Sequence, residues 1–278
     1  MRKYLVIGNP IDHSLSPLIH NYWFKKHGLI DSIYEKQKVK KKDLVSIVDQ
    51  VREGQIKGVN VTVPYKKEII PFLNDIIGDA KLTQSVNTLC NVNNQVHGYN
   101  TDTKGFKKSL KNKHIDYNNK NIFIIGAGGV TPSILEAFLN SANKIYITNR
   151  TKEKTEELKK LGNKSITLLG RKKDIIEVVD WGKSPEICDI IINTTSVGLA
   201  KDKNLSLDFE DYRNNKNALF YDLIYNPEET NFLKEARLRG NKTMNGKMMF
   251  LWQAQIAFQM WTGVATEVDD EVIKLLNR

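Results

Sequence analysis

Asn121-Ile122-Phe123-Ile124-Ile125-Gly126-Ala127-Gly128-Gly129-Val130-Thr131-Pro132-Ser133 is the stretch on which the fold turns. Its unbroken apolar run from Ile122 to Ile125 reads as a buried strand. The glycines that follow make a turn. Thr131 and Pro132 then open a helix expected to run to Ser141, with Thr131 as N-cap and Pro132 at the first helical position, where its missing N–H costs nothing. Strand, glycine turn and helix in this order bring backbone N–H groups and a helix N-terminus to the pyrophosphate of a dinucleotide. The match to G-x-G-x-x-G is incomplete: Gly126 and Gly128 fit, and Thr131 stands at the third glycine position.

Downstream, Lys144 to Thr148 reads as the next strand and Lys152 to Leu161 as the next helix. A site for NAD ends that second strand with Asp or Glu, which accepts from the ribose 2′-OH. Here the strand runs into Asn149-Arg150-Thr151. Arg150 is suited to clasp a 2′-phosphate and to lay its flat guanidinium on adenine, with Lys154 one helical turn on as a second cation. The expected cofactor is therefore NADP(H). Cys188 to Asn193 and Ala218 to Leu223 read as further strands, and Lys247 to Met260 and Asp269 to Leu276 as helices.

Upstream the chain also alternates. Strands at Tyr4 to Gly8, Tyr34 to Val39 and Gly58 to Pro64 are separated by helices at Pro17 to His27 and Asp43 to Arg52. Thr88 to Cys90 and Gln95 to Tyr99 read as short strands about an Asn93-Asn94 turn. Alternation of this kind argues for βαβ units and a mostly parallel sheet, hence the α/β class. The polar stretch Asn112 to Asn121 reads as a connection between two domains.

Composition narrows the function classes. The chain has 278 residues, enough for two domains, and its two cysteines lie far apart. They read as packed thiols, and no zinc-type cluster forms with the five histidines. Lys and Arg exceed Asp and Glu by 42 to 32, a formal +10. The basic residues interleave with acidic ones, so nucleic acid is not the expected partner; a positive field suits small anions instead. No apolar run spans a bilayer and no signal-peptide core is present, so the expectation is a cytoplasmic protein without membrane contact.

Polar clusters stand at the expected strand ends, where open α/β sheets bind ligands. They are Gly8-Asn9-Pro10-Ile11-Asp12-His13-Ser14-Leu15-Ser16-Pro17, Asn60-Val61-Thr62-Val63-Pro64-Tyr65-Lys66, Ser85-Val86-Asn87-Thr88 and Gly98-Tyr99-Asn100-Thr101-Asp102. Ser14 and Ser16 flank a helix N-terminus, a natural carboxylate site. Asn60 and Thr62 point to one face of a strand. Taken by themselves, the residues do not say whether Lys66 and Asp102 meet.

In order along the chain, HSLSP (His13 to Pro17), NVTVPYK (Asn60 to Lys66), SVNT (Ser85 to Thr88), NTD (Asn100 to Asp102), GAGG (Gly126 to Gly129), NRT (Asn149 to Thr151), INTTSVG (Ile192 to Gly198), YDLIYNPEET (Tyr221 to Thr230), NGKMMFLWQA (Asn245 to Ala254) and WTG (Trp261 to Gly263) resemble the shikimate dehydrogenase family. The resemblance implies NADPH-dependent, reversible reduction of 3-dehydroshikimate to shikimate, in aromatic amino acid biosynthesis. It implies two α/β domains with a cleft between them: a substrate domain at 1–103, completed by helices of 241–278 that return to it, and a Rossmann-like NADP-binding domain at 104–240.

For the residues, it implies that Ser14 and Ser16 hold the substrate carboxylate. Asn60, Thr62, Lys66, Asn87, Asp102, Tyr225 and Gln253 would meet the substrate, with Lys66 and Asp102 the catalytic pair. Gly126, Ala127, Gly128, Gly129 and Val130 would bind the pyrophosphate. Asn149, Arg150, Thr151 and Lys154 would meet the 2′-phosphate end. Thr194, Ser196, Val197, Gly246 and Met249 would border the cofactor. The expected assembly is a monomer or homodimer acting on a small molecule, with no metal.

Three departures bear on cofactor affinity. Val130 follows GAGG where the family usually has Ala, Lys154 stands where Arg is common, and Lys247 replaces the usual apolar residue after Gly246. Two rivals share the scaffold. A quinate/shikimate dehydrogenase using NAD would carry an acidic residue where Arg150 stands. A non-catalytic metabolite-binding homologue would be expected to lose Lys66 or Asp102.

Overall fold

The computed structural model describes residues 1–171, 174–185, 187–199, 204–213 and 215–276. Two compact units divide the chain: residues 1–108 with the chain from Phe250 onward, and Ser109–Met249.

The first unit contains β1 (Arg2–Gly8), α1 (Ser16–Lys26), β2 (Ser32–Lys38), α2 (Leu44–Arg52), β3 (Ile56–Val61), β4 (Asp75–Ile76), α3 (Asp79–Thr83), β5 (Thr88–Val92), β6 (Gln95–Tyr99) and the start of α4 (Asp102–Asn112). Its six-stranded sheet has the order β2-β1-β3-β5-β6-β4. β2, β1 and β3 are parallel. β5 runs antiparallel to both β3 and β6, which makes this sheet mixed. The β5–β6 hairpin turns on Asn93 and Asn94, both at positive φ (53° and 61°), as its right-handed twist requires. Leu44, Ile47, Val48 and Val51 share one helical face of α2 and are buried in the core with β-branched residues of β3.

The opposite side of this core is aromatic. Tyr4, Trp23, Phe24, Tyr34, Phe258 and Trp261 pack with ring centroids 4.9–6.2 Å apart. Each such side chain stabilises by about 1.5–3 kcal/mol through burial alone.

The second unit contains β7 (Asn121–Ile125), α5 (Thr131–Leu139), β8 (Lys144–Thr148), α6 (Lys152–Leu168), β9 (Ile176–Val178), β10 (Ile190–Asn193), β11 (Leu219–Asp222), α7 (Asn231–Leu238) and β12 (Lys242–Asn245). The sheet order is β12-β11-β10-β7-β8-β9, with every pairing parallel. Renumbered within the unit this is 3-2-1-4-5-6, the doubly wound dinucleotide-binding order, whose switch point lies between β7 and β10. α8 (Lys247–Thr262) and α9 (Asp270–Leu275) follow.

Several details differ from expectation. The compact units divide at 108/109 and 249/250, near the expected 103/104 and 240/241, and β12 pairs in register with β11, so 242–245 extend the second sheet. Thr131 is not the N-cap of α5. Val130 occupies that place, and the Thr131 hydroxyl faces back to accept from the Gly128 N–H at 2.9 Å.

Candidate active site

In the first unit, the loops after β1 and β3 leave the same end of the sheet. Ser14 and Ser16 come from the first loop and the first turn of α1. Leu15, at the N-cap of α1, offers no side-chain cap; Ser14 Oγ accepts from the Ser16 N–H at 3.4 Å and donates to Ser16 Oγ at 3.3 Å. Asn60 lies near the end of β3, and Thr62 follows it, its N–H donating to the Ile7 carbonyl. Lys66 follows the Pro64 turn and is fixed by its own backbone: its carbonyl accepts from the Val86 N–H at 2.8 Å.

Lys66 Nζ donates to Asp102 Oδ2 at 2.6 Å, across 36 residues of sequence. Both are buried, 8% and 5% exposed. Asp102 is the first residue of α4, where the helix dipole favours a carboxylate. Its other oxygen accepts from Asn87 Nδ2 at 2.9 Å. Asn87 also donates to Thr101 Oγ1 (2.9 Å) and accepts from the Thr101 N–H (2.8 Å). Asn60 Nδ2 donates to the Asn87 carbonyl (3.0 Å) and to Thr88 Oγ1 (3.1 Å). Gln253, on α8, places Oε1 3.4 Å from Thr101 Oγ1. Gly105 makes that approach possible: a Cβ there would lie 2.8 Å from the Gln253 backbone nitrogen. Lys66, Asp102, Asn87, Asn60 and Gln253 thus belong to one connected polar group, a cation and an anion embedded among amides and hydroxyls.

In the second unit, the glycine turn after β7 sits at the switch point. Gly126 has φ +114°, a conformation that favours glycine, and a Cβ there would fall 2.5 Å from Thr194 Oγ1. At Gly128 a Cβ would meet nothing within 4 Å, so the turn is open on that side. Ala127 and Val130 are half-buried and Gly129 is exposed. Thr194, after β10, bonds both the Ile125 carbonyl (2.9 Å) and Thr131 Oγ1 (2.8 Å), tying the two loops of the switch point together. An open glycine turn, a helix N-terminus and tied flanking loops fit a pyrophosphate.

At the end of β8, Arg150, Thr151 and Lys154 are exposed, and Asn149 turns the chain by donating to the Thr151 carbonyl at 3.0 Å. Two cations with no carboxylate between Asn149 and Lys152 fit a 2′-phosphate rather than a bare ribose.

Ser196 is exposed and Val197 half-buried. Tyr225 is half-buried, and Gly246 and Met249 are buried. Among the described residues no group of three His, Cys, Asp or Glu could hold a metal, and no helix is long and apolar enough to cross a membrane. Cys90 and Cys188 are buried, which pushes both thiols up to about 12.

Sequence reasoning passed over two groups that shape these loops. Asn193 donates to Asp222 Oδ1 (3.1 Å) and to the Val197 carbonyl (3.2 Å). Asp222 is fully buried and also accepts from Thr230 Oγ1 (2.6 Å) and the Ile224 N–H (3.0 Å), yet desolvation pushes its carboxyl up to about 6. The INTTSVG and YDLIYNPEET motifs contain both residues, so the signal was present without a partner assigned. The second group is Tyr34, whose hydroxyl donates to Asn60 Oδ1 at 2.7 Å.

Comparison with known proteins covers nearly the whole chain. Residues 6–89 match the family model of the shikimate dehydrogenase substrate binding domain, and residues 108–223 that of shikimate / quinate 5-dehydrogenase. A shikimate dehydrogenase (NADP(+)) of Pelagibacter ubique (strain HTCC1062) is 44% identical over 277 residues, 99% of each chain. A crystal structure of a shikimate dehydrogenase in complex with NADP+ superposes with a TM-score of 0.90 at 34% identity, covering 99% of this chain and 94% of that one. The Thermus thermophilus enzyme in complex with NADP(H) and shikimate gives 0.85 at 27% identity, covering 100% and 99%. With both domain models matched, a relative 44% identical over the full chain and the same fold, the chain belongs to the shikimate dehydrogenase family.

Proposed function

We propose that this protein reduces 3-dehydroshikimate to shikimate with NADPH, reversibly. The observation that carries the proposal is the buried Lys66–Asp102 pair, 2.6 Å apart at the strand ends of the first unit. A buried ion pair is a poor device for stability alone, since desolvation offsets much of its attraction. It is a good device for a reaction in which charge appears on oxygen.

NADPH supplies the hydride that reaches the carbonyl carbon. As that bond forms, the carbonyl oxygen becomes an alkoxide. The Lys66 ammonium stabilises the growing charge, and the Lys66–Asp102 pair delivers the proton that completes the alcohol. Asp102 orients the lysine and accepts from a substrate hydroxyl. Asn60, Thr62, Asn87, Gln253 and Tyr225 meet the remaining ring oxygens. Ser14 and Ser16 donate to the carboxylate, an arrangement supported by two hydroxyls 3.3 Å apart at the start of α1.

In the second unit, Gly126, Ala127, Gly128, Gly129 and Val130 hold the pyrophosphate. Asn149, Arg150, Thr151 and Lys154 hold the 2′-phosphate, and Thr194, Ser196, Val197, Gly246 and Met249 complete the cofactor site. The enzyme acts as a monomer or homodimer in the cytoplasm.

The test is absorbance of NADPH formed from NADP+ and shikimate, with quinate and NAD+ run in parallel. Turnover with shikimate and NADP+ at least tenfold above either alternative is expected. Preference for quinate or for NAD+ would assign the chain to the other branch of the superfamily. No turnover with any pair would make it a binding protein.

A further inference from the structure

We propose that Thr131 is a positioning residue of the cofactor site: its buried hydroxyl links the Gly128 N–H to Thr194 and so fixes the glycine turn against the loop after β10 before a dinucleotide arrives. The inference deepens the reading above and rests on its cofactor half.

Thr131 stands where the dinucleotide fingerprint has its third glycine, the one that lets helix and strand pack closely. A side chain in that place must be accommodated, and this one is fully buried. Its hydroxyl has two partners. It accepts from the Gly128 N–H at 2.9 Å and lies 2.8 Å from Thr194 Oγ1. Thr194 Oγ1 donates in turn to the Ile125 carbonyl at 2.9 Å.

The direction of this chain follows from the hydrogens available. A hydroxyl carries one. Thr194 gives its hydrogen to Ile125, so the hydrogen between the two hydroxyls belongs to Thr131. Thr131 Oγ1 is left to accept, and the Gly128 N–H points at it. The relay therefore runs from the Gly128 N–H to Thr131, from Thr131 to Thr194, and from Thr194 to the Ile125 carbonyl. That carbonyl also accepts the Thr194 N–H at 2.8 Å, which engages both of its lone pairs.

The relay starts and ends on the backbone of one turn, at residues 128 and 125, and passes through a second loop on the way. Asn193 is opposite Ile125 in the parallel pair of β10 and β7, so Thr194 is the first residue beyond that pairing. The two loops flank the switch point, where open α/β sheets bind their ligand. Gly126 lies within the ring: a Cβ there would fall 2.5 Å from Thr194 Oγ1, so the relay requires glycine at 126 as well as its φ of +114° does. Gly128 is exposed, and a Cβ there would meet nothing within 4 Å. Thr131, with no exposed surface, acts through the shape of the turn and not by touching a ligand. A turn that holds its shape beforehand loses less freedom on binding.

The experiment measures dissociation constants by calorimetry for NADP+ and NAD+, and by displacement titration for adenosine 2′-monophosphate, in wild type, Thr131→Val, Thr131→Ser, Thr194→Val and the Thr131→Val/Thr194→Val double variant. Thr131→Val keeps the shape and removes the hydroxyl. It should weaken NADP+ about three- to tenfold, the range for one neutral hydrogen bond, and NAD+ by the same factor, since the two share the pyrophosphate. Adenosine 2′-monophosphate, which has no pyrophosphate, should stay within twofold. Thr131→Ser restores the hydroxyl and should restore NADP+ affinity to within twofold. The double variant should be no more than twofold worse than the poorer single variant, because members of one hydrogen-bonded network are not additive.

Unchanged NADP+ affinity in Thr131→Val overturns the proposal. So does an equal loss for adenosine 2′-monophosphate, which would mean general loosening of the unit. A Thr131→Ser as weak as Thr131→Val would assign the effect to the lost methyl, and fully multiplicative losses in the double variant would mean two separate roles; either overturns the relay. These outcomes leave the cofactor reading standing. Wild type that binds neither dinucleotide overturns that reading and this inference with it. Should Thr131→Val not fold, Thr131→Ala replaces it, read against Thr131→Ser, from which it differs by the hydroxyl alone. A loss confined to the two dinucleotides supports the proposal, and no loss overturns it.

Discussion

Replacing Lys66 with Met separates the two roles of the buried pair. The substitution keeps an unbranched side chain of similar length and removes the charge. Asp102 is then left 5% exposed with Asn87 as its remaining side-chain donor at 2.9 Å. Breaking a buried pair by removing one partner costs about 3–5 kcal/mol. Since Asn87 still solvates one oxygen, the low end is expected, about 3 kcal/mol. At about 2–4 °C per kcal/mol, the melting temperature of the first unit should fall by roughly 6–12 °C. Turnover at saturating shikimate and NADP+ should fall about 10²–10⁴-fold, the usual range for a positioned acid–base group.

The double variant Lys66→Met/Asp102→Asn has no orphan charge, and the oxygen of the introduced amide can still accept from Asn87. Its melting temperature should return to within a few degrees of wild type, while turnover stays at least 10²-fold down. Calorimetric melting and the NADPH absorbance assay measure the two quantities on the same samples. Recovery of turnover together with stability in the double variant would make the pair a device of the fold. Turnover in Lys66→Met above about a tenth of wild type would refute the catalytic role outright.

Two further outcomes test the second unit. Arg150→Ala should weaken NADP+ binding about 10–100-fold, the worth of a charge-assisted bond, and NAD+ binding less than threefold; equal losses would remove Arg150 from the 2′-phosphate site. Asp222→Asn should alter the pH dependence of stability. The Asp222 carboxyl is raised from 3.8 to about 6, chiefly by burial, so its contribution is full below pH 3.8 and is lost as pH rises through 6. From pH 4 to 7 wild type should lose about 2 kcal/mol relative to the variant by chemical denaturation of the second unit, and parallel stability curves would contradict the buried-carboxylate account.

Much of the architecture was legible because its signals are local. The apolar run before Gly126, the turn itself and Pro132 lie within twelve residues, and they fix β7, the switch-point loop and α5. Asn93-Asn94 announced the β5–β6 hairpin through its need for positive φ. What was illegible is pairing at a distance. β12 reads Lys242-Thr243-Met244-Asn245, an edge strand with little apolar content, and only its register against β11 makes it a strand. α6 runs to Leu168, past the Leu161 expected, because Gly162 fits where a side chain would collide with Ile176 and Leu135, so the glycine permits close packing and does not end the helix. At the site, Ser14, Asn60 and Lys66 could be singled out as polar residues at strand ends. Nothing within a window of sequence says that Lys66 finds Asp102, that Asn87 finds both Thr101 and Asp102, or that Tyr34 finds Asn60. Those partners are chosen by the order β2-β1-β3-β5 and by α4 and α8, not by spacing.

The way hydrogen bonds are distributed explains why the reaction centre falls on Lys66 and not on its neighbours. Asn87 is engaged through both ends of its amide: its hydrogens go to Thr101 Oγ1 and Asp102 Oδ1, and its oxygen takes the Thr101 N–H and the Thr88 hydroxyl. Asn60 has both amide hydrogens committed and only an acceptor to offer. Lys66 gives one hydrogen to Asp102, and an ammonium carries three. It is the cation of this polar group with donors left to aim, and it is buried, where an uncompensated charge on an incoming oxygen is felt most strongly. Asp102 holds the Lys66 ammonium through its Oδ2, and Asn87 and the start of α4 hold Asp102 in turn. The amides and hydroxyls around the pair thus hold a charge in place before substrate arrives, so that little reorganisation remains when negative charge develops on the carbonyl oxygen.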